Sequence, residues 1–271
     1  MKKAGSKKVI LIGIIIIAVI LLTFAFSQKL TIRKFTDKTD KVSGEVKIMV
    51  LSDLHDTYYG NKQQGLTEII ETEKPDIILF AGDIYDDKKE TGAANVLFEA
   101  VGEDYPCYYV TGNHEIYSGK IDELKKTIKE YGVTVLDGGG DVVMVDNQYI
   151  RICGVDDPAI GEDGWKKQIS DCDAYSGDNL YSVLLTHRPE RINRYHGYDL
   201  VVSGHTHGGI ANLPGVLNGL YAPHQGWFPK FSGGEYTFDD MKMIVSRGLT
   251  KTPFSRFFNP PEVDIITVSG K

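Results

Sequence analysis

Five apolar runs in this chain end beside side chains that can bind metal or move protons. Asp53 and His55 follow a run ending at Leu51, and Asp83 follows one ending at Ala81. Asn113 and His114 follow a run ending at Val110, His187 follows one ending at Thr186, and His205 and His207 follow one ending at Ser203. Five of the 7 histidines lie in these loops. Each position alone has an ordinary reading. An Asp or Asn after a strand is often a turn residue or helix cap, a single His is often just a satisfied polar group, and Gly82, Gly112 and Gly204 suit turns. The joint pattern is more specific: apolar run, glycine, metal-competent side chain recurs at Asp83, Asn113 and His205. Carboxylate, amide oxygen and imidazole suit Zn, Mn or Fe. The candidate ligands Asp53, His55, Asp83, Asn113, His187, His205 and His207 are more than one ion usually takes from protein. Asp83, central in sequence order, is the natural bridge between two divalent metal ions. Two ions roughly 3.5–4 Å apart clamp an in-line displacement at phosphorus, so a phosphate ester is the expected substrate.

The elements that must position these residues alternate. Val46–Leu51, Asp76–Ala81 and Tyr108–Thr111 read as strands, with helical patterns over Leu66–Glu73, Ala93–Val101 and Ile121–Tyr131 between and after them. Such alternation predicts an α/β domain with parallel strands, whose carboxyl ends are where ligands bind. Further on, Val142–Val145 with Tyr149–Val155, and Glu235–Phe238 with Met241–Ser246, read as hairpins, while Tyr181–Thr186, Leu200–Ser203 and Val263–Val268 are short strands. Parallel pairing in the first half and added antiparallel pairing in the second predict two mixed β-sheets packed as a sandwich flanked by helices.

The first 28 residues differ from the rest. Lys2, Lys3, Lys7 and Lys8 precede an uncharged run from Val9 to Phe26. The run approaches bilayer thickness as a helix, and the lysines before it argue for an inward N-terminus. The expectation is a retained single-pass anchor over residues 1–28, a short lead over 29–45 with one strand-like piece, Leu30–Phe35, and a domain over 46–271 outside the cell membrane. Setting aside residues 1–28 removes four lysines and no acid, and takes the formal charge from −7 to −11. So acidic a body argues against nucleic acid as a partner. Cys107 and Cys153 sit in apolar text as buried thiols; Cys172 is open to a disulfide, and none has metal-finger spacing.

The blocks Asp53-Leu54-His55, Gly82-Asp83-Ile84-Tyr85-Asp86, Gly112-Asn113-His114-Glu115, His187 and Gly204-His205-Thr206-His207 together resemble the calcineurin-like metallophosphoesterases, from about Val46 to the C-terminus. The resemblance implies a two-sheet sandwich flanked by helices. It also implies one ion on Asp53, His55, Asp83 and His207, and another on Asp83, Asn113, His187 and His205. His114 is then not a ligand but the catalytic group facing the leaving group, with Asp86 orienting it. Protein-phosphatase members carry Arg where this chain has Asp87 and Thr111, so a phosphoprotein substrate is not expected. Asp56 stands where many members have Gly, which predicts altered loop geometry there. The stretches Gly204–Gly209, Leu213-Pro214, Tyr221–Pro223, Gln225-Gly226 and Asn259–Glu262 look like a bacterial membrane-anchored branch linked with lipid-borne phosphate esters or pyrophosphates. His224, Trp227 and Phe228 read equally as pocket lining or as a packed loop, and His196 as surface or structural. The alternative to an exported hydrolase is a tethered metal-binding module without turnover, but a structural site needs no acid beside it. A nuclease is disfavoured by the acidic charge.

Overall fold

The structure is a computed structural model that describes residues 2–175, 179–252 and 256–271, with the side chains of residues 2–9 outside the description. Two six-stranded mixed sheets face each other. The first contains β1 (Thr31–Thr39), β2 (Glu45–Leu51), β3 (Ile77–Ala81), β4 (Cys107–Val110) and β5 (Thr134–Val135). The second contains β6 (Gly140–Val145), β7 (Gln148–Gly154), β8 (Tyr181–Leu185) and β9 (Leu200–Ser203). A small hairpin of β10 (Tyr221–Ala222) and β11 (Gly226–Trp227) stands apart; β12 (Gly234–Thr237) and β13 (Lys242–Val245) complete the second sheet, and β14 (Glu262–Gly270) returns to the first. The orders are β1-β14-β2-β3-β4-β5 and β12-β13-β9-β8-β7-β6. β2 through β5 run parallel, as do β7, β8, β9 and β13. β14 lies antiparallel to β2, and hairpins close both ends of the second sheet.

Alternation along the strands explains the layers, because successive side chains point to opposite faces. Ile48 and Val50 of β2 and Leu79 of β3 point inward against Ile150, Ile152, Val183, Leu185 and Val202 of the second sheet. Met49, Leu51 and Phe80 point outward and are covered by α2 (Gln64–Glu73), α3 (Gly92–Val101) and, beside them, α5 (Ile121–Glu130), whose Ile70, Leu97, Phe98 and Ile128 are buried there. Both faces being covered, these strands read as continuous apolar runs, as parallel strands do. On the other side α6 (Glu162–Asp173) buries Trp165 against Leu184, Val201 and Met243. Trp165 is fully buried, and truncating it to Ala is the kind of change that costs about 3–5 kcal/mol.

Two segments differ from expectation. The strand-like piece of the lead is β1, but it pairs in parallel with the whole of β14, so the first sheet, and with it the domain, begins at Thr31 and not at residue 46. The N-terminal segment forms α1 (Lys2–Ala25), but no helix among the described residues is long and apolar enough to cross a membrane. Lysines occupy its first two turns. Its uncharged stretch, Val9–Ala25, rises about 26 Å at about 1.5 Å per residue, short of the about 30 Å of bilayer hydrocarbon. The expected span, and with it the outward single-pass placement in the cell membrane, is therefore corrected. The end of α1 meets the domain: the Phe258 N–H donates to the Ala25 carbonyl at 2.6 Å, and the Phe26 and Phe257 rings lie 5.3 Å apart. Cys107, Cys153 and Cys172 are buried and not disulfide-bonded, so the disulfide left open for Cys172 is not formed.

Candidate metal centre

The loops after β2, β3, β4, β8 and β9 bring all seven candidate ligands to one edge of the sandwich. The backbone there is held in unusual conformations: Asp53, His55, Asp83, His205 and His207 all have positive φ, between 46° and 73°. Side chains avoid this region unless surroundings impose it, and such strain gathers at functional sites. The surroundings here are cross-loop hydrogen bonds. Asp53 N–H donates to Gly82 O at 3.0 Å, and His55 N–H to Asp83 O at 3.0 Å. The Glu115 carboxylate, fully buried, accepts from the backbone N–H groups of Asp83, Ile84, Tyr85 and Gly112 at 2.7–3.0 Å. Close approach needs glycine at position 204, where a Cβ would fall 1.8 Å from Ser52 Oγ and 2.4 Å from Asp53 Oδ2.

Two groups of donors converge on Asp83. In the first, ligand atoms of Asp53, His55, Asp83 and His207 all lie within 4.8 Å of one another. His207 Nε2 is 3.3 Å from Asp53 Oδ1, and His55 Nε2 is 3.6 Å from Asp83 Oδ2. In the second, Asp83, His187 and His205 meet the same limit, with His187 Nε2 at 3.2 Å from Asp83 Oδ2 and 3.1 Å from His205 Nδ1. Asn113 follows at the start of α4 (Asn113–Tyr117). Its Oδ1, like His55 Nε2, is buried without a hydrogen-bond partner. Buried polar atoms left unpaired are costly, so donors aimed into a common space fit an ion better than they fit one another.

The electrostatics agree. Burial opposes charge on Asp83, yet the imidazoles of His187, His55 and His114 hold its carboxyl well below the usual range. Burial opposes charge on His187 as well, and Asp83 overcomes it, raising that imidazole to about 10. Burial and then His187 push His205 well down. Burial and the nearby Asp83 raise Glu115 to about 7. The cluster thus keeps an ionised carboxylate among the imidazoles where the donors converge.

The other expected residues are near but paired differently. His114 lies against His55, ring centroids 4.4 Å apart, and its backbone N–H donates to Asp83 Oδ1 at 2.8 Å. The carboxylate on His114 is that of Asp87, whose Oδ1 is 2.6 Å from Nδ1. Asp86, expected to orient His114, stands 3.4 Å from His55 Nδ1 and within 4.8 Å of a His114 ring nitrogen, between the two imidazoles. Asp56 adopts φ 49°, a conformation natural to glycine, and its carboxylate accepts from Asp86 N–H at 3.0 Å and Ala94 N–H at 3.1 Å. Glu115 and Asp87 were visible in the sequence, within and beside the motif blocks, but no local pattern assigned them these partners. Thr111, where an arginine was absent, bonds Asp156 Oδ1 at 2.7 Å. Arg188, next to His187, is spent on Asp157 and Glu190. A cleft of about 360 Å³ opens on the first group, lined by His55, Asp86, Lys89, His114 and His207 together with Ile210, Tyr221, Pro223 and the threonines Thr206, Thr250 and Thr252. Trp227 and Phe228, exposed on or next to β11, do not line this cleft.

Residues 46–209 match the family described as calcineurin-like phosphoesterase. The chain is 31% identical over 256 residues to an uncharacterised metallophosphoesterase of Aquifex aeolicus, covering 89% of this chain and 93% of that one. It is 27% identical over 229 residues to the phosphodiesterase YaeI of Escherichia coli, covering 81% of each. Among solved structures, the NAD nucleotidase of Haemophilus influenzae is similar in fold, with a TM-score of 0.53 at 16% identity over 76% of this chain. This chain matches 45% of that protein's length.

Proposed function

Since this chain belongs to the calcineurin-like phosphoesterase family and is a phosphoester hydrolase, we propose that it works through two divalent ions, Mn, Zn or Fe, that share Asp83. Asp53, His55, Asp83 and His207 would hold one, and Asp83, Asn113, His187 and His205 the other. The observation that carries this reading is the pair of donor groups meeting at one carboxylate, with Asn113 Oδ1 and His55 Nε2 buried and unpartnered. Bound there, the ions supply Lewis-acid stabilisation of the phosphoryl oxygens and make the attacking water more acidic.

The chain's own residues do the rest. His114 lines the cleft and is braced by Asp87 on Nδ1. That leaves Nε2 to give a proton to the departing alcohol, while Asp87 stabilises the charged imidazole and fixes its direction. Asp86 braces His55 in the same way. The apolar lining residues Ile210, Tyr221 and Pro223 support an ester whose alcohol is apolar, a lipid-borne phosphate or pyrophosphate among them. Neither Asp87 nor Thr111 offers a guanidinium for a phosphomonoester dianion, which weighs against phosphoproteins.

The test is an activity panel. The metal-stripped chain is reloaded with Mn, Zn, Fe or Mg and offered an aryl monoester, an aryl diester and a lipid pyrophosphate. Turnover that depends on Mn, Zn or Fe is expected. Two bound ions with no turnover on any substrate would leave a metal-binding module instead.

A further inference from the structure

A metal-binding imidazole has two ring nitrogens, and the one facing away from the ion usually donates its N–H to a fixed partner that sets tautomer and direction. The imidazoles of this centre can be compared on that point. His187 Nδ1 lies 2.7 Å from the main-chain Ala81 O at the end of β3. His55 Nδ1 faces the Asp86 carboxylate. His205 presents Nδ1 to His187 Nε2, so its other nitrogen is Nε2, and that atom lies 3.0 Å from Nδ1 of His224. The partner of His205 is thus neither main chain nor carboxylate, but an exposed side chain from outside both sheets.

The local structure holds it there. His224 sits in the turn between β10 and β11 with φ 61°. The neighbouring Gln225 is tied on both sides of its amide, Nε2 donating to Phe231 O at 2.6 Å and Oε1 accepting from Phe231 N–H at 3.0 Å. Phe228 N–H closes the turn onto Leu220 O at 2.8 Å. The hairpin also packs on the turn at His207–Gly209, so it is anchored to the site's own loops while it presents one imidazole to His205.

Resting on the two-ion reading above, we propose that His224 is a positioning residue for the second ion: it accepts the Nε2–H of His205 and so keeps His205 Nδ1 unprotonated and directed at the site shared with His187, Asn113 and Asp83. The hairpin at 221–227 is then part of the metal centre, though it contributes no ligand.

Two substitutions suit the left-handed backbone equally and differ in the acceptor. His224→Gly removes it, and His224→Asn restores an oxygen near the place of Nδ1. The metal-stripped full chain is titrated calorimetrically with Mn(II), and paired ions are counted by the exchange-coupled signal in electron paramagnetic resonance. Wild type should bind two ions as a coupled pair. His224→Gly should bind the first ion as wild type does and the second about 10–100-fold more weakly, the usual cost of losing such a partner. His224→Asn should recover most of that loss, and melting temperatures should match, since the side chain is exposed. Unchanged second-ion affinity in His224→Gly, or no recovery in His224→Asn, overturns the proposal. Ligand atoms of Glu190, His205 and His224 also lie within 4.8 Å of one another. Three ions in wild type and two in His224→Gly would therefore make His224 a ligand and overturn its positioning role. A single ion in wild type defeats the two-ion reading itself, and the proposal with it.

Discussion

On one flank of Asp83, His187 and His205 are sealed under the sheet edge; on the other, His55 and His207 meet an open cleft. The sealed flank is braced by a main-chain carbonyl and by His224. The open flank is braced by carboxylates, Asp86 on His55 and Asp87 on the neighbouring His114. The difference assigns different work to two similar sets of imidazoles. On the proposed reading, substrate and leaving group would meet the flank whose side chains are backed by negative charge and whose cleft is lined by Lys89, Ile210, Tyr221 and Pro223. On the sealed flank His187 and His205 are buried, which suits holding charge over meeting substrate.

Substitutions can break or sharpen this comparison. The largest effect should come from the residue common to both flanks. Asp83→Asn removes the shared carboxylate, so both ions should be lost and kcat/KM should fall about 10⁴-fold, about 5.5 kcal/mol at about 1.36 per decade. Elemental analysis with initial rates checks this, and two retained ions with normal turnover would remove Asp83 from its bridging place. Next in size is a change confined to the open flank. His114→Ala should keep wild-type metal content and lower kcat about 10²–10³-fold, with a smaller loss for aryl esters whose leaving group needs no proton. Equal losses for good and poor leaving groups would deny His114 the acid role. The smallest effect should separate the braces. Asp86→Asn should weaken the first ion about tenfold while sparing the second, the mirror of His224→Gly. If Asp86→Asn instead leaves both affinities intact and lowers kcat alone, it acts on His114 after all.

Much of the centre was legible because β-strands make their loops regular. Each candidate ligand follows a short apolar run that cannot itself turn, so the first polar residues after it fall at the sheet edge. The bracing was not legible for the same reason. Asp86 and Asp87 are adjacent in sequence, and only the turn that carries them decides which imidazole each one meets. Asp56 was readable as an oddity, but not as the acceptor that ties the loop after Leu54 to Asp86 and Ala94. The parallel pairing of β1 with β14 joins the two ends of the chain, beyond the reach of any local pattern. α6 was missed because few of its residues are buried, Trp165 and Cys172 among them, leaving a weak apolar stripe. The N-terminal run erred the other way: uncharged composition suggested a span, and the described helix falls short of one.

Anomalous X-ray diffraction from crystals of the full chain grown with Mn(II) tests the central claim most directly. The account predicts two anomalous peaks, roughly 3.5–4 Å apart, on either side of the Asp83 carboxylate, one within reach of His55 and His207 and the other within reach of Asn113, His187 and His205. One peak alone, or peaks away from these side chains, would contradict it.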